Sequence, residues 1–409
     1  MTVRVGAAEY GGAFATDAGE PLRFVLPGEL VDGSLVLEGS LALEGSAVLE
    51  ASAERVAARC RHFGVCGGCD YQHAAYPEQL RIKVDILRGL LGVREISVEA
   101  AEPWEYRNRI RVRVQTVDGV MRFGYNRRGG REFLPVAECP IAAPVLLRAA
   151  EALVGMESAW LASIAEVEFF ASSGAVQMSV FTRDGRTEGF AVFCEALQGL
   201  VPELAGAGVM AASAGFGAKE RAVWGSGGLV QEVLGRRYWV TRGGFFQVNR
   251  LLVGRMVELV TAGRAGALAW DLYAGVGLFS RVLAEGFETV VGIEAGEPAA
   301  ADLARKVKKA KDVQAVRMET VEFLRRAVLQ RERPDFVVMD PPRAGLGAEV
   351  CELLGRVGAK AMVYVSCDPV TLARDLGMLV DSGYRIDGVH LVDMFPQTFH
   401  VETVVFLAR

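Results

Sequence analysis

Short apolar runs that end in polar turns alternate with helical patterns along the chain from Ala267 to its last residue. One such run, VVGIEAG, ends at Glu294 and has the branched side chains that are typical of a buried strand. Alternation of strand and helix indicates a parallel sheet that is covered by helices on both faces. The sequence therefore predicts an α/β fold with a doubly wound, Rossmann-like domain at its C-terminal end.

Two of the predicted strands end in residues whose side chains could bind a ligand or take part in catalysis. Asp335–Asp340 (DFVVMD) and Ala361–Pro369 (AMVYVSCDP) each begin as an apolar run and end in a polar turn. In an open α/β sheet, ligands bind beyond the carboxyl ends of the strands. Cys367 therefore stands where a nucleophile would lie. The alternative is a small buried thiol, which is a common environment for cysteine.

The first strand of this region runs into a glycine turn, DLYAGVGLFS, in which Gly275 and Gly277 allow a ligand to approach the backbone closely. Glu294, at the end of the next strand, is placed to accept hydrogen bonds from a ribose diol. The turn lacks the third glycine of a dinucleotide fingerprint, because Phe279 lies close to that position. This pattern favours an adenosyl ligand without a pyrophosphate, and S-adenosylmethionine fits that description.

Upstream patterns predict different modules. Residues 1–51 alternate short β-prone runs with glycine and proline turns, which indicates a small β module. A six-residue near-repeat, SLVLEG, SLALEG and SAVLEA, occupies Ser34–Ala51 and predicts further short strands. Tyr76–Leu91 has the apolar spacing of a helix, and Tyr106–Tyr125 is typical of a hairpin that turns at Asp118 and Gly119.

The hairpin is unusually rich in arginine. Eight arginines and one acid occur between Arg107 and Arg131. Alternate positions of a strand share one face, so four of these guanidinium groups leave the sheet together; they belong to Arg107, Arg109, Arg111 and Arg113. Arginine forks bind phosphates, which favours contact with RNA or DNA. The alternative is a solvated face that balances acids elsewhere in the fold.

Composition limits the remaining possibilities. A chain of 409 residues with 51% hydrophobic positions is expected to fold into two or three well-cored domains. A net charge of −5 means that a nucleic-acid partner would be held by a local patch. The chain has no pattern typical of a signal peptide or a membrane span, so we expect a cytoplasmic protein without a membrane partner.

Seven cysteines, an odd number, argue against a disulfide framework and for metal or catalytic use. Three are clustered in CRHFGVCGGCDYQH, as Cys60, Cys66 and Cys69, and Cys139 follows in AECPIA. Thiolates around a Gly-Gly turn suit a soft metal or an iron–sulfur cluster. A structural zinc site remains an alternative. Unrelated free thiols are the third interpretation, and the spacing departs from the three-cysteine pattern of radical enzymes.

With these pieces in order, the chain resembles the RNA uracil-5-methyltransferases, which methylate uridine in ribosomal or transfer RNA. The resemblance rests on a series of motifs over roughly residues 55–409: CRHFGVCGGCDYQH with Cys139, FFQVN, DLYAGVGLF, MDPPRAGL, YVSCDPVTLARDL and MFPQTFHVETV. It implies a 4Fe–4S cluster on Cys60, Cys66, Cys69 and Cys139. It implies S-adenosylmethionine contacts at Gln247, Tyr273, Glu294 and Asp340. It also implies a catalytic nucleophile at Cys367 and a catalytic base at Glu402.

The resemblance also predicts the domain boundaries. It divides the protein into a degenerate β module (1–51), a central α+β iron–sulfur and RNA-binding domain (52–240) and a methyltransferase domain (241–409). We expect a monomer that methylates carbon 5 of a uridine. The preferred substrate is 23S ribosomal RNA, and the alternative is the thymidine loop of transfer RNA. Arg343 is a candidate to favour the thiolate, and Phe245 or Phe246 to stack on a flipped base.

Other classes remain open. An amino-nitrogen methyltransferase typically has an aromatic residue after Asp-Pro-Pro, where this chain has Arg343. A cytosine-5 enzyme would share the thiolate chemistry, but the RNA enzymes of that kind have a cysteine in the Asp-Pro-Pro turn. A non-catalytic RNA-binding iron–sulfur protein would have no use for Cys367 and Glu402.

Overall fold

The N-terminal part of the chain forms a four-stranded antiparallel sheet in the order β2-β1-β3-β4. The computed structural model describes residues 2–32, 47–210, 220–305 and 313–409. The strands of this sheet are β1 (Thr2–Glu9), β2 (Ala13–Thr16), β3 (Leu30–Asp32) and β4 (Val48–Glu50). Alternation in β1 buries Val3 and Val5. Most of the near-repeat predicted at Ser34–Ala51 lies outside the described residues.

The first described helix, α1 (Tyr76–Leu91), confirms the helix predicted from apolar spacing. It begins with a proline in its first turn and ends at Gly92 in the left-handed conformation, both common helix boundaries. Ile82 and Ile86 pack into the core of the N-terminal sheet, whereas Leu87 packs against residues of the C-terminal sheet. The helix therefore joins the two ends of the protein.

A seven-stranded sheet occupies the middle of the chain in the order β12-β11-β10-β9-β6-β7-β8. After β5 (Ser97–Glu99), which belongs to another sheet, its elements are β6 (Arg109–Val117), β7 (Val120–Asn126), β8 (Phe133–Pro135), α2 (Pro144–Val154), β9 (Ile164–Ser172), β10 (Ala175–Thr182), α3 (Phe190–Leu200), β11 (Leu204–Met210) and β12 (Glu220–Gly225). The pairing of β6 with β7 confirms the predicted hairpin, and both turn residues, Asp118 and Gly119, have positive φ.

A two-stranded hairpin and a helix connect this sheet to the next. The hairpin pairs β13 (Gly228–Val233) with β14 (Arg236–Thr241), and α4 (Val253–Thr261) follows. The intervening segment, TRGGFFQVN, crosses between the two larger sheets: Asn108 donates a hydrogen bond from its side chain to the carbonyl of Gln247 at 3.0 Å. This segment is therefore positioned by contacts from the central part of the chain.

The C-terminal region is an eight-stranded sheet in the order β17-β16-β15-β18-β19-β21-β20-β5. Its remaining elements are β15 (Gly266–Leu272), α5 (Ser280–Leu283), β16 (Phe287–Glu294), α6 (Glu297–Leu303), β17 (Gln314–Arg317), α7 (Thr320–Gln330), β18 (Phe336–Met339), α8 (Gly347–Val357), β19 (Ala361–Ser366), α9 (Pro369–Asp381), β20 (Arg385–Val392) and β21 (Glu402–Ala408). The five strands β15 to β19 are parallel, and β21 is antiparallel to both of its neighbours. This confirms the predicted α/β, Rossmann-like fold.

The predicted domain boundaries stay predictions. Strand β5 lies in the segment assigned to the central domain, yet it pairs with β20 of the C-terminal sheet. Helix α1, from the same segment, packs against both ends of the protein. Among the described helices, none is both long and apolar enough to cross a membrane.

Candidate active site at the carboxyl edge of the sheet

The eight-stranded sheet brings five predicted site residues to one edge. Glu294 ends β16, and Asp340 and Cys367 follow directly after β18 and β19. Strand β21 runs in the opposite direction, so its first residue, Glu402, lies at the same edge. Tyr273 follows β15 there. The structure therefore places these side chains where an open α/β sheet binds its ligands.

Cys367 and Glu402 are neighbours across two paired strands. Ser366 pairs with Thr403, so the next residue of each strand extends the same ladder towards the edge. Cys367 is partly exposed. Burial, followed by the charges of Glu402 and Asp340, raises the pKa of the Cys367 thiol to about 12, and Arg343 opposes them. A negative charge on this sulfur is therefore disfavoured by its acidic neighbours until a positive charge or a base offsets them.

Glu402 is a buried carboxyl group without a described partner on one oxygen. Glu402 is 2% exposed, and its Oε1 atom has no hydrogen-bond partner among the described residues. Burial, and then the neighbouring Asp340, raise the pKa of Glu402 well above its ordinary value, and Arg343 counteracts them in part. A carboxyl group in this environment holds its proton strongly, which is the property that a general base needs.

Two further acids share this environment. Burial, and then Asp271, raise the pKa of Asp340 to about 7, whereas a hydrogen bond from Gln247 Nε2 at 3.3 Å acts in the opposite direction. Burial also raises the pKa of Asp271 to about 7, although Ser280 donates its backbone N–H to Asp271 Oδ2 at 2.9 Å. Gln247, predicted from the TRGGFFQVN segment, therefore lies at the same edge as the strand-end residues.

The glycine turn after β15 has the backbone that its sequence predicts. Tyr273, Gly275 and Gly277 all have positive φ, at 62°, 56° and 85°. Glycine suits position 277 because a side chain at this φ would be strained, and a Cβ atom there would also lie 2.6 Å from a side-chain carbon of Leu303. A tyrosine in the left-handed region is uncommon and is typical of functional sites.

Glu294 holds this turn. Its Oε2 accepts the backbone N–H of Gly275 at 2.9 Å, and its Oε1 accepts the backbone N–H of Gly296 at 2.7 Å. Each carboxylate oxygen has a second lone pair, so the side chain can still accept hydrogen bonds from a diol. Its predicted contact with a ribose stays a prediction.

The acidic groups around Cys367 have little positive charge beside them, although Asp393 at the same edge pairs with the buried Lys83. Four groups there, Asp271, Asp340, Cys367 and Glu402, have raised pKa values because burial and mutual repulsion disfavour their anions. Arg343 is the cation that opposes this effect at Cys367 and Glu402, and it is exposed. A positively charged ligand bound here would stabilise the anions and lower the pKa of every one of them.

The four predicted metal ligands lie together in the central part of the chain. Cys60, Cys66 and Cys69 interact electrostatically with Cys139, and burial is the main cause that raises the pKa of each thiol. Each sulfur also accepts at least one hydrogen bond, the donors including backbone N–H groups and the side chains of Gln72 and Tyr125. Such donors favour the thiolate form that a metal or a cluster needs.

The metal itself is not confirmed. Within residues 2–32, 47–210, 220–305 and 313–409, no three histidine, cysteine or acidic side chains are close enough together to hold one metal ion. A 4Fe–4S cluster uses one cysteine for each iron, so its four sulfurs stand further apart than the ligands of a single ion. Four interacting, hydrogen-bonded thiols are the kind of donors that a 4Fe–4S cluster requires.

Sequence reasoning missed the link between the cysteine segment and the active site. Asp70, the residue after Cys69, donates its backbone N–H to the carbonyl of Gln397 at 2.8 Å, and its carboxylate accepts the N–H of Phe399 at 3.3 Å. Gln397 is buried and has a φ of 69°. These residues precede Glu402, and no local pattern in the sequence signals a contact over more than 300 positions.

The arginine face of β6 is partly neutralised. Arg109 pairs with Glu168 at 3.2 Å and Arg111 with Glu166, both acids lying on the neighbouring strand β9. Arg113 donates instead to Asn126 and to a backbone carbonyl. The alternative interpretation, a face that balances acids, therefore holds for two of the four arginines.

The two phenylalanines proposed to meet a base differ sharply. Phe246 is 3% exposed and packs in the core between the sheets, whereas Phe245 is 58% exposed. Phe246 is therefore a core residue, and the role predicted for either one falls to Phe245.

Comparisons with known proteins agree on one family. The family model described as tRNA (Uracil-5-)-methyltransferase matches residues 230–409. A tRNA (uracil(54)-C(5))-methyltransferase of Pyrococcus horikoshii is 31% identical over 86% of this chain and 86% of its own. The 23S rRNA (uracil(1939)-C(5))-methyltransferase RlmD of Salmonella choleraesuis is 30% identical over 87% of this chain and 83% of its own.

A solved structure supports the fold. The crystal structure of Pyrococcus abyssi tRNA (uracil-54, C5)-methyltransferase, in complex with S-adenosyl-L-homocysteine, superimposes with a TM-score of 0.78 at 23% identity and covers 100% of both chains. The sequence similarity to the relatives extends over most of both chains, through the central segment as well as the C-terminal sheet. This chain belongs to the RNA uracil-5-methyltransferase family and is an enzyme of the methyltransferase class.

Proposed function

We propose that this enzyme uses S-adenosylmethionine to methylate carbon 5 of one uridine in RNA, with Cys367 as nucleophile and Glu402 as base. The observation that carries the proposal is the pairing of these two side chains across the ends of β19 and β21. A thiol beside a buried carboxyl group supplies both the group that adds to the ring and the group that removes its proton.

The chemistry needs both groups. Carbon 5 of uracil is a poor nucleophile, so the Cys367 thiolate adds to carbon 6, and the ring electrons move to the neighbouring carbonyl as an enolate. Carbon 5 then takes the methyl group of the bound sulfonium donor, whose sulfur–methyl bond breaks to leave a neutral thioether. Glu402 removes the hydrogen of carbon 5 as a proton, the bond between sulfur and carbon 6 breaks, and the double bond forms again.

The charge distribution supports a sulfonium as the methyl donor. S-Adenosylmethionine is a cation that supplies an electrophilic methyl group when it is bound. The carboxyl edge gathers acids whose pKa values are raised and which lack a buried cation. Gln247, Tyr273, Glu294 and Asp340 would hold this donor, Glu294 through its remaining lone pairs beside the glycine turn. The ligand named for the Pyrococcus abyssi structure supports the same assignment.

A bound cation would also prepare the protein groups for the reaction. Burial and acidic neighbours raise the pKa of Cys367 to about 12, and burial, followed by Asp340, raises the pKa of Glu402 well above its ordinary value. Positive charge beside Asp340 would favour ionisation of all three groups. The thiolate would thus form when the donor is present, which protects the nucleophile in the free enzyme.

The cysteine segment would hold a 4Fe–4S cluster on Cys60, Cys66, Cys69 and Cys139. A cluster supplies strong thiolate cross-links between segments distant in sequence. No step of the methylation transfers an electron, so we propose a structural role. Asp70 and Arg128 would connect the cluster to the rest of the fold. Arg128 donates to the Asp70 carboxylate at 2.8 Å and to the carbonyls of Cys66 and Cys69.

The RNA is proposed to be 23S ribosomal RNA, with transfer RNA as the second candidate. The Salmonella choleraesuis relative is named for the first substrate and the Pyrococcus horikoshii relative for the second, at similar identity. Phe245 is exposed beside Gln247 and is the side chain that would stack on a base extruded from its helix. Arg113, which is partly exposed, and other arginines that are exposed would contact phosphates.

The first experiment is nucleoside mapping of ribosomal and transfer RNA by mass spectrometry, with and without the gene. We expect 5-methyluridine to disappear from one site of 23S RNA. Loss from the transfer-RNA thymidine loop would keep the chemistry and change the substrate. No change in either RNA would contradict the proposal and favour an RNA-binding protein without activity.

A second experiment tests the nucleophile with purified enzyme. Cys367→Ala should abolish methylation of the mapped RNA and leave binding of S-adenosylmethionine intact by calorimetry. The matched control is Cys351→Ala, because Cys351 is a buried core thiol away from the carboxyl edge. Turnover by Cys367→Ala would overturn the assignment.

A further inference from the structure

One contact joins the N-terminal sheet to the turn that carries Cys367. Tyr10 follows β1 in a tight turn whose next residues, Gly11 and Gly12, have φ of 108° and 86°. Its ring packs partly buried between the core of the N-terminal sheet and residues of the C-terminal sheet. The ring also meets Phe399 edge to face at 5.6 Å. The turn therefore inserts Tyr10 into the active-site region.

The hydroxyl of Tyr10 donates to Asp368 Oδ2 at 3.3 Å, although 358 positions separate the two residues. Asp368 is the N-cap of α9: its other oxygen, Oδ1, accepts the backbone N–H groups of Val370 at 3.1 Å and Thr371 at 2.9 Å. Both oxygens of the carboxylate are thus engaged, one by the helix and one by the N-terminal sheet.

The backbone around Cys367 is fixed by the same residue. Ser366 Oγ donates to the carbonyl of Asp368 at 3.0 Å, so Cys367 lies in a small closed turn between two anchored neighbours. Asp368 sets the start of α9 on one side, and Ser366 ends β19 on the other. A rotation of the Asp368 side chain would disturb the cap and the turn together.

We propose that Tyr10 is a positioning residue for Cys367, acting through its hydrogen bond to the Asp368 carboxylate. The N-terminal sheet would then be part of the apparatus that holds the nucleophile, beyond any contact with RNA. The proposal rests on the proposed role of Cys367, but the geometry of the turn can be measured without methylation.

The Tyr10 hydroxyl is suited to donate this hydrogen bond at every pH at which the enzyme works. Burial, followed by the negative charge of Asp368, raises the pKa of the Tyr10 hydroxyl well above its ordinary value. The phenol therefore keeps its proton at any pH at which the enzyme works. A donor to a carboxylate forms one of the stronger hydrogen bonds of proteins, and it constrains the orientation of both groups.

The test compares Tyr10→Phe, Asp368→Ser and the double variant. Phenylalanine keeps the ring contact with Phe399 and removes the hydroxyl, and serine keeps a helix cap but is too short to reach Tyr10. We expect each single variant to slow single-turnover methylation roughly tenfold, the size expected for one hydrogen bond to a charged group. The double variant should be no slower than Asp368→Ser, since both changes remove the same contact.

Alkylation of Cys367 by iodoacetamide, followed by peptide mass spectrometry from pH 7 to 10, is the second measurement. A looser turn exposes the thiol, so we expect faster alkylation in Tyr10→Phe and a profile shifted to lower pH. Methylation and alkylation would thus change in opposite directions. If Cys367 proves not to be the nucleophile, the alkylation result still reports on the turn, so the two proposals can fail separately.

Tyr71→Phe is the matched control, because Tyr71 is buried beside the same sheet and its hydroxyl has no hydrogen-bond partner among the residues that the structure describes. Tyr71→Phe should alter neither the rate of methylation nor the rate of Cys367 alkylation. Equal thermal midpoints for both tyrosine variants would show that the fold is intact. Wild-type rates in Tyr10→Phe, or additive losses in the double variant, would overturn the proposal.

Discussion

Buried charges on the two large sheets differ in whether they have a counter-ion. At the carboxyl edge of the C-terminal sheet, Asp393 pairs with the buried Lys83 at 2.6 Å, but Glu402 and Asp271 each have a buried oxygen without a hydrogen-bond partner among the described residues, and their pKa values are raised. On the central sheet, Arg109 is also largely buried and its Nε lacks a described partner, but its guanidinium pairs with Glu168 and stacks on Phe170 at 4.1 Å. Glu402 and Asp271 thus form no ion pair among the described residues, whereas Arg109 does.

The difference separates function from structure. An unpaired buried carboxyl group costs stability, so it persists where a ligand or a reaction uses it. A buried ion pair that is complete within the protein has no capacity left for a ligand, and it is a weaker sign of function. Strongly perturbed acids at the edge, more than the density of arginines, therefore locate the chemistry of this enzyme.

The largest effect is expected from Glu402→Gln. The amide cannot remove a proton, so repeated turnover should fall by roughly 10²–10⁴-fold, the usual contribution of a general base. One methyl group would still be transferred, and the RNA would stay attached to Cys367 as a band that resists denaturant on a gel.

The same variant should be at least as stable as the wild type, because it removes a buried acid with an unpartnered oxygen. Absence of the covalent band with turnover retained would mean that another residue is the base. A large loss of thermal stability would contradict the view that this acid is uncompensated.

The next effect is on stability, from Glu168→Gln. This change leaves the guanidinium of Arg109 without its acid where both side chains are only about 15% exposed. Removing one partner of a buried pair costs on the order of 3 kcal/mol in the free energy of unfolding. Urea denaturation measures it. The double variant Arg109→Met with Glu168→Gln should recover part of the loss, and no recovery would mean that the pair itself stabilises the sheet.

A smaller effect is expected from Asp340→Asn, and it depends on pH. The pKa of Asp340 is about 7 in the folded protein, above the ordinary value near 4 of an unfolded chain. The folded state therefore binds more protons between these values, so this carboxyl group makes the free enzyme less stable as pH rises from about 4 to about 7.

Thermal unfolding of Asp340→Asn without ligand should therefore match the wild type at pH 4 and exceed it at pH 8. Each kcal/mol of relief corresponds to roughly 2–4 °C in a protein domain of 150–250 residues. Glu294→Gln is the control, since both of its oxygens already accept backbone N–H groups and its loss should not stabilise. A lower midpoint for Asp340→Asn at pH 8 would contradict the expected sign.

Local patterns predicted the C-terminal fold well, for a physical reason. Strand ends in a parallel sheet meet at one edge, so the positions of Glu294, Asp340 and Cys367 after apolar runs were enough to bring them together. The glycine turn followed in the same way, because positive φ at Gly275 and Gly277 depends on residues adjacent in sequence.

Contacts between distant segments could not be predicted. The contacts of Tyr10 with Asp368 and of Asp70 with Gln397 depend on how the N-terminal sheet and the cysteine segment pack on the C-terminal sheet. The periodicity of the sequence does not indicate such packing. The arginine face is a different case, because its predicted contact with RNA stays a prediction. Its alternation was correct, but the acids that neutralise Arg109 and Arg111 lie on β9, about 55 positions away. Pairing across strands therefore changed the meaning of a local pattern.

The smallest effect is expected from Glu166→Gln, because Glu166 lies on the same face of β9 as Glu168 but its ion pair is more exposed. Arg111 and Glu166 are 51% and 35% exposed, so water and salt screen their attraction, and the pair contributes less than about 1 kcal/mol. The variant should therefore unfold at nearly the wild-type urea concentration, while RNA binds somewhat more tightly in low salt because Arg111 is freed for a phosphate. The gain should vanish as salt is raised. Weaker RNA binding would show that the intact pair, with its guanidinium held over Phe181 at 4.0 Å, is the form that meets the RNA.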